Sequence, residues 1–181
     1  KDHSLISKVK DLIFKGFEKA LEKHQIPPLS SGVIVDDEFG EEVLHKATGK
    51  VPFIGRPIEV PGSRPLQFIE RANLKAWPNN HIVKCLCHYH PGENETLRLQ
   101  QEDQIEKIYK HCLDNRLEFL LEIITPKQML SGKGDEEKEW KNYFPDHKII
   151  PLTMERIYNL GIRPDWWKIA PPTEESWDLI E

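Results

Sequence analysis

The sequence predicts an α/β protein built on a parallel sheet, and three observations carry that expectation. Short apolar runs alternate with helical segments along the chain. Each run is apolar at nearly every position rather than at every second one, as in strands covered on both faces. Prolines and glycines bracket the runs and mark their ends. The alternation fits either a doubly wound open sheet or a (β/α)8 barrel, and the pattern alone leaves that choice open. About five strands can be counted, whereas a complete barrel needs eight and roughly 250 residues.

The elements follow in order. Leu5, Val9, Leu12, Ile13, Phe17, Ala20 and Leu21 recur at helical spacing among lysines and glutamates, which predicts an amphipathic helix from about Ser4 to His24, ended by Pro27 and Pro28. Gly32 to Asp36 reads as a short strand that runs into acidic residues and a helix through Glu41 to Lys46. VPFIGRPIEVPG gives a second strand ending near Arg56 and Pro57, with a long ordered loop beyond it. HIVKCLCHYHP is the third strand, Leu97 to Cys112 a helix, and Glu118 to Ile124 the fourth strand. Ser131 to Glu139 is expected to be an exposed loop. A helix around Thr153 to Asn159 leads to the fifth strand, DWWKIAP, and TEESWDLIE opens a last helix with Thr173 as its N-cap.

Composition narrows the function. With 181 residues and 38% hydrophobic content the chain is expected to form a single domain over 1–181. No run of about 18 apolar residues occurs, and the charged N-terminal segment lacks the apolar centre of a secretory signal, so no membrane role is expected. A net charge of −5 without a basic stripe argues against nucleic-acid binding. Cys85, Cys87 and Cys112 form an odd set without a dense spacing pattern, which predicts free thiols and a cytoplasmic protein. Neither a P-loop nor GxGxxG nor GxSxG is present, so nucleotide and serine-hydrolase readings lack their usual entry points.

Side chains alternate across a strand, so parity sorts its two faces. Lys84 shares a face with Leu86, His88 and His90, while the two strand cysteines fall with Val83 and Tyr89. Glu122 goes with Leu120 and Ile124, Lys168 with Trp166 and Ala170, and Asp36 with Ile34 and Glu38. Each ionisable residue lies toward a strand's C-terminal end, where parallel α/β proteins bind ligands. Lys84, Glu122 and Lys168 are therefore expected to converge in one pocket. Burial and a neighbouring cation both disfavour a charged lysine, so Lys168 is expected to be partly neutral and nucleophilic, with Glu122 as acid and base. Arg56 and Arg64 suit a phosphate or carboxylate, and equally suit ion pairs with Glu59 or Glu70 that anchor their loop. Alternation separates Cys87 from His88 and His90 and no other ligand spacing supports them, so no metal site is expected. The Trp166-Trp167 pair reads as core packing.

VDDEFG, RPIEVPGSRP, HIVKCLCHYHP, FLLEIITP and YNLGIRPDWWKIAPP together resemble the aldolase-like domain fused behind 5-dehydro-2-deoxygluconokinase in bacterial inositol catabolism. That domain is similar to the class I tagatose-bisphosphate aldolases, which are (β/α)8 barrels. The resemblance implies a TIM barrel present in part, about strands two to six, incomplete at both ends. It implies a Schiff-base carbon-carbon lyase that needs no metal or other cofactor. Lys168 matches the imine lysine, Glu122 the acid/base glutamate and Lys84 a lysine lining the same site. Asp36 and Glu38 match a substrate-binding strand end, and Arg56, Arg64 and His88 join the expected substrate-binding set. KIAPP stands where the tagatose enzymes have KVEVP, and HYHP replaces a YYD-like end.

The substrate implied is 6-phospho-5-dehydro-2-deoxygluconate, cleaved to dihydroxyacetone phosphate and malonate semialdehyde. Tagatose-1,6-bisphosphate cleavage, a non-catalytic barrel attached to a sugar kinase, and a zinc-dependent enzyme using His88 and His90 are the rivals. The implied partners are the phosphorylated sugar and a fused or associated sugar kinase domain, with a homo-oligomer also compatible.

Overall fold

Residues 3–69, 73–125 and 146–180 are described by the computed structural model. The expected Ser131 to Glu139 loop lies outside them. Five strands form one sheet in the order β1-β2-β3-β4-β5: β1 Gly32–Ile34, β2 Phe53–Pro57, β3 His81–His88, β4 Phe119–Ile124 and β5 Trp166–Lys168. Every neighbouring pair is parallel. Among the described residues the helices are α1 His3–Lys23, α2 Asp37–Ala47, α3 Glu95–Asn115, α4 Asp146–Asn159 and α5 Glu174–Ile180.

Strand order decides the question that the apolar pattern left open. A doubly wound sheet reverses its order at a switch point and carries helices on both faces. Here the order is strictly sequential, and among the described residues the buried cores lie on one face only. One core joins Val35 and Ile54 to Val43, Leu44 and Ala47 of α2 and Phe14 of α1. The other joins Val83, Cys85, Cys87, Phe119, Leu121 and Ile123 to Ile105, Ile108 and Cys112 of α3 and to Ile157 of α4. All the strand residues in these sets share one parity, so the opposite face is inward.

The inward face is concave. On a flat sheet β2 and β5 would stand about 14 Å apart, three strand spacings. Yet the rings of Phe53 and Trp166, one from each, meet edge to face with centroids 5.2 Å apart. Gly32 makes room for this contact, because a Cβ there would lie 2.7 Å from the Phe53 ring. The sheet is therefore a curled half-barrel, compatible with part of a (β/α) barrel.

Element boundaries moved for local reasons. Helix α2 begins at Asp37, earlier than expected, because Asp36 caps it by accepting the Phe39 N–H at 2.8 Å. The same cap ends β1 at Ile34. Helix α4 extends back from the expected Thr153 to Asp146 despite Pro151. Proline cannot donate to the carbonyl four residues earlier. That carbonyl, on His147, accepts the Ser176 hydroxyl at 2.8 Å instead, which ties α5 to α4. Of the tryptophan pair, Trp167 packs against the core and donates to the Tyr158 hydroxyl at 2.9 Å, as expected of a core residue. Trp166 faces inward, half exposed.

Candidate functional site

Parallel pairing sets the site. Glu122 on β4 stands in register with Lys168 on β5 and with Leu86 on β3, and Lys84 stands in register with Leu120. All three ionisable residues point to the concave face toward the C-terminal ends of their strands. The Lys84 ammonium lies 2.9 Å from Glu122 Oε2. The Lys168 ammonium donates to the other carboxylate oxygen, Oε1. Glu122 is thus held by a lysine on each side, and its carboxylate plane is fixed.

A fourth residue completes the cluster. Lys84 also donates to Glu59 Oε1 at 2.6 Å. Glu59 lies beyond β2, in a chain segment that folds back on itself: Val60 donates to Gln67 O at 2.8 Å and Ile69 to Ile58 O at 2.8 Å. Gln101 on α3 fastens this hairpin, accepting the Leu66 N–H at 2.7 Å and donating to the His88 carbonyl at 2.5 Å. The result is a row of alternating charges, Glu59, Lys84, Glu122, Lys168. It runs from a dry end to a wet one: the side chains of Lys84 and Glu122 are 7% and 9% exposed, that of Lys168 50%.

Burial pushes the Glu122 carboxyl up, but the hydrogen bonds and charges of Lys168 and Lys84 outweigh it and hold the group below its ordinary value of 4.5. Glu122 and Lys168 open into a cavity of about 840 Å³ at the ends of β4 and β5, lined also by His90, Asp146, Ile149 and Pro171. His90 is buried, its Nδ1 accepting the Gly92 N–H at 3.0 Å, and burial lowers its pKa to about 4. His88 stands in register with Ile124, half-buried on the lysine face.

The other expected site residues lie elsewhere. Asp36 is occupied as the α2 cap and pairs with Lys10 of α1. Glu38 is exposed in the first turn of α2. Arg56 stands in register with Val83, hence on the helix-covered face. There it makes a two-pronged pair with Asp37 (2.8 and 2.6 Å) and lies 3.8 Å from the Trp77 ring centre. Arg64 pairs with buried Glu93 rather than with Glu59. Both arginines therefore make ion pairs within the protein, and Glu70, one of the partners expected, lies outside the described residues. Glu59 is the member of the cluster that strand parity missed. It follows Pro57, which stands in register with Lys84, by two residues, so carrying the alternation past the end of β2 puts it on the lysine face.

The three cysteines are buried free thiols. Burial raises all three, Cys87 and Cys112 to about 12. Among the described residues no group of three or more His, Cys, Asp or Glu side chains has the arrangement of a metal site, and no helix is long and apolar enough to cross a membrane.

Fold and site together define a parallel α/β half-barrel with two lysines and two carboxylates interleaved at the C-terminal ends of its strands. Over residues 1–181 the chain matches the family described as "Uncharacterized protein conserved in bacteria (DUF2090)", and it belongs to that family. No curated protein matches it significantly.

Proposed function

We propose that the protein is a class I aldolase, a Schiff-base carbon-carbon lyase on a (β/α)8-type scaffold. The observation that carries this reading is the shared carboxylate: Glu122 accepts from a half-exposed lysine at a cavity mouth and from a buried one behind it. A nucleophilic amine needs an acceptor for its proton, and the leaving oxygen of the carbinolamine needs a donor. One carboxylate in contact with the amine serves both needs in turn.

In this mechanism Glu122 takes a proton from Lys168, whose nitrogen attacks the substrate ketone. Glu122 returns that proton to the carbinolamine oxygen and relays a second one to it from the attached nitrogen, so the oxygen leaves as water and the iminium remains with one N–H. A base then removes the proton of the hydroxyl two carbons away. The carbon-carbon bond breaks, its electron pair passes into the iminium to give an enamine, and an aldehyde departs. Protonation of the enamine carbon and hydrolysis release the ketone product and restore Lys168. Lys84 holds a substrate oxygen with the N–H that its two carboxylates leave over.

The substrate proposed, from the sequence resemblance, is 6-phospho-5-dehydro-2-deoxygluconate, with the protein acting in the cytosol beside a sugar kinase. Borohydride added with dihydroxyacetone phosphate should trap a reduced adduct, located on Lys168 by peptide mass spectrometry. An adduct of equal yield in Lys168→Ala would falsify the assignment. Assay of tagatose 1,6-bisphosphate alongside the keto sugar acid separates the two substrates.

A further inference from the structure

We propose that Glu59 is a positioning residue of this site: acting through Lys84, its negative charge sets the proton affinity of Glu122. The inference deepens the aldolase reading, since it concerns the same carboxylate, but it rests on the geometry of four side chains.

Lys84 is 5% exposed and Glu59 8% exposed, so neither charge is met by bulk water. Lys84 touches two carboxylates, Glu59 at 2.6 Å and Glu122 at 2.9 Å, and is shared between them. With Glu59 present, the row carries two negative and two positive charges. Without that charge the row is net positive, and the whole of the Lys84 charge falls on Glu122. A buried charge that loses a partner pulls harder on the partner that remains. Glu122 would then hold its proton more weakly. Glu59 Oε2 is buried and has no hydrogen-bond partner among the described residues, so the carboxylate is bound into the site through its Oε1 contact with Lys84. A carboxylate kept dry with one oxygen unmatched is costly to retain for packing.

The other groups around Glu122 are Lys168 in contact, His90 and Asp146 lining the same cavity, and His88 on the same face of β3. His90 is neutral above pH 6, and neither His88 nor Asp146 hydrogen-bonds or ion-pairs with Glu122, whose carboxylate is held by Lys84 and Lys168. Glu59 is thus the second-rank charge with a direct line to Glu122.

The test is a carbon-13 NMR titration of the Glu122 carboxyl. Glu59→Gln keeps an oxygen able to accept from Lys84 and removes the charge, and it should shift the Glu122 midpoint to lower pH. Glu59→Asp, which keeps the charge, should leave the midpoint near the wild-type position. A Gln variant with an unmoved midpoint, or an Asp variant that moves as far as the Gln variant, overturns the proposal. Should Glu59→Gln not fold, Glu59→Ser carries the same test: it too removes the charge, and a Glu122 midpoint left at the wild-type position overturns the proposal. None of these readouts needs turnover. A moved midpoint with no borohydride adduct on Lys168 would support the role of Glu59 and sink the aldolase reading alone.

Discussion

At the scale of single residues, the two lysines of the site differ in what they are worth. Lys84 is buried between two carboxylates, and Lys168 is half in water. Replacing Lys84 by Met leaves Glu59 and Glu122 facing each other in a dry site with their common partner gone. Breaking a buried pair in this way costs about 3–5 kcal/mol. Lys168→Met removes a pair that solvent already screens, and about 1 kcal/mol or less is expected. Urea unfolding at pH 7 should separate the variants by that margin. Equal losses would mean that Lys84 is not the hub of the cluster. Combining Lys84→Met with Glu59→Gln should recover part of the loss, because one of the two stranded charges is then removed.

At the scale of elements, the sequence made the strands legible and left their ends uncertain. The five apolar runs became β1 to β5 because strands covered by helices on one side and by the half-barrel interior on the other have no reason to alternate in polarity. Parity then placed Lys84, Glu122 and Lys168 on one face, since all three lie inside regular strands whose pairing preserves the alternation. It failed for Asp36 because the strand had already ended, and a residue that caps a helix follows the helix rather than the sheet. Arg56 was misplaced for another reason: its position near a strand's end says nothing about which face it takes, and its parity is that of Val83. Barrel or open sheet could not be read from local pattern at all, because strand order is a property of long-range pairing. Helix α4 shows the same limit from the other side. Pro151 makes the segment before Thr153 look non-helical, and what repairs it is Ser176, twenty-five residues later and on another element. Ser176→Ala should therefore behave as more than a lost hydroxyl, since it leaves the His147 carbonyl without its donor. A loss of about 1–3 kcal/mol is expected. Faster hydrogen exchange in the first two turns of α4 would accompany it, and unchanged exchange there would sink the account.

At the scale of the whole molecule, the buried ionisable groups give stability a particular dependence on pH. His90 has its pKa lowered to about 4 by burial, and its Nδ1 must stay unprotonated to accept the Gly92 N–H. Unfolded, the same residue takes up a proton near its ordinary value of 6.5. Between pH 6.5 and about 4 the unfolded chain therefore binds more protons than the folded one, so stability falls as pH falls through that window and is fully present above it. Glu122 acts lower down. Its folded pKa lies below 4.5, so its contribution is present above that value and is lost as the pH falls beneath it. The two windows join, and the urea midpoint should decline steadily from about pH 6.5 downward with no plateau near 5. His90→Asn separates them, because the amide oxygen can still accept from Gly92 while the titration is gone. The midpoint of that variant should decline less steeply than the wild type's from pH 6.5 to about 4.5, the remaining slope coming from His81, whose pKa burial also lowers, and then fall as the carboxylate does. If it declines between 6.5 and 4.5 as steeply as in the wild type, His90 is not the group responsible. In that case His81, buried at the start of β3, carries the slope instead.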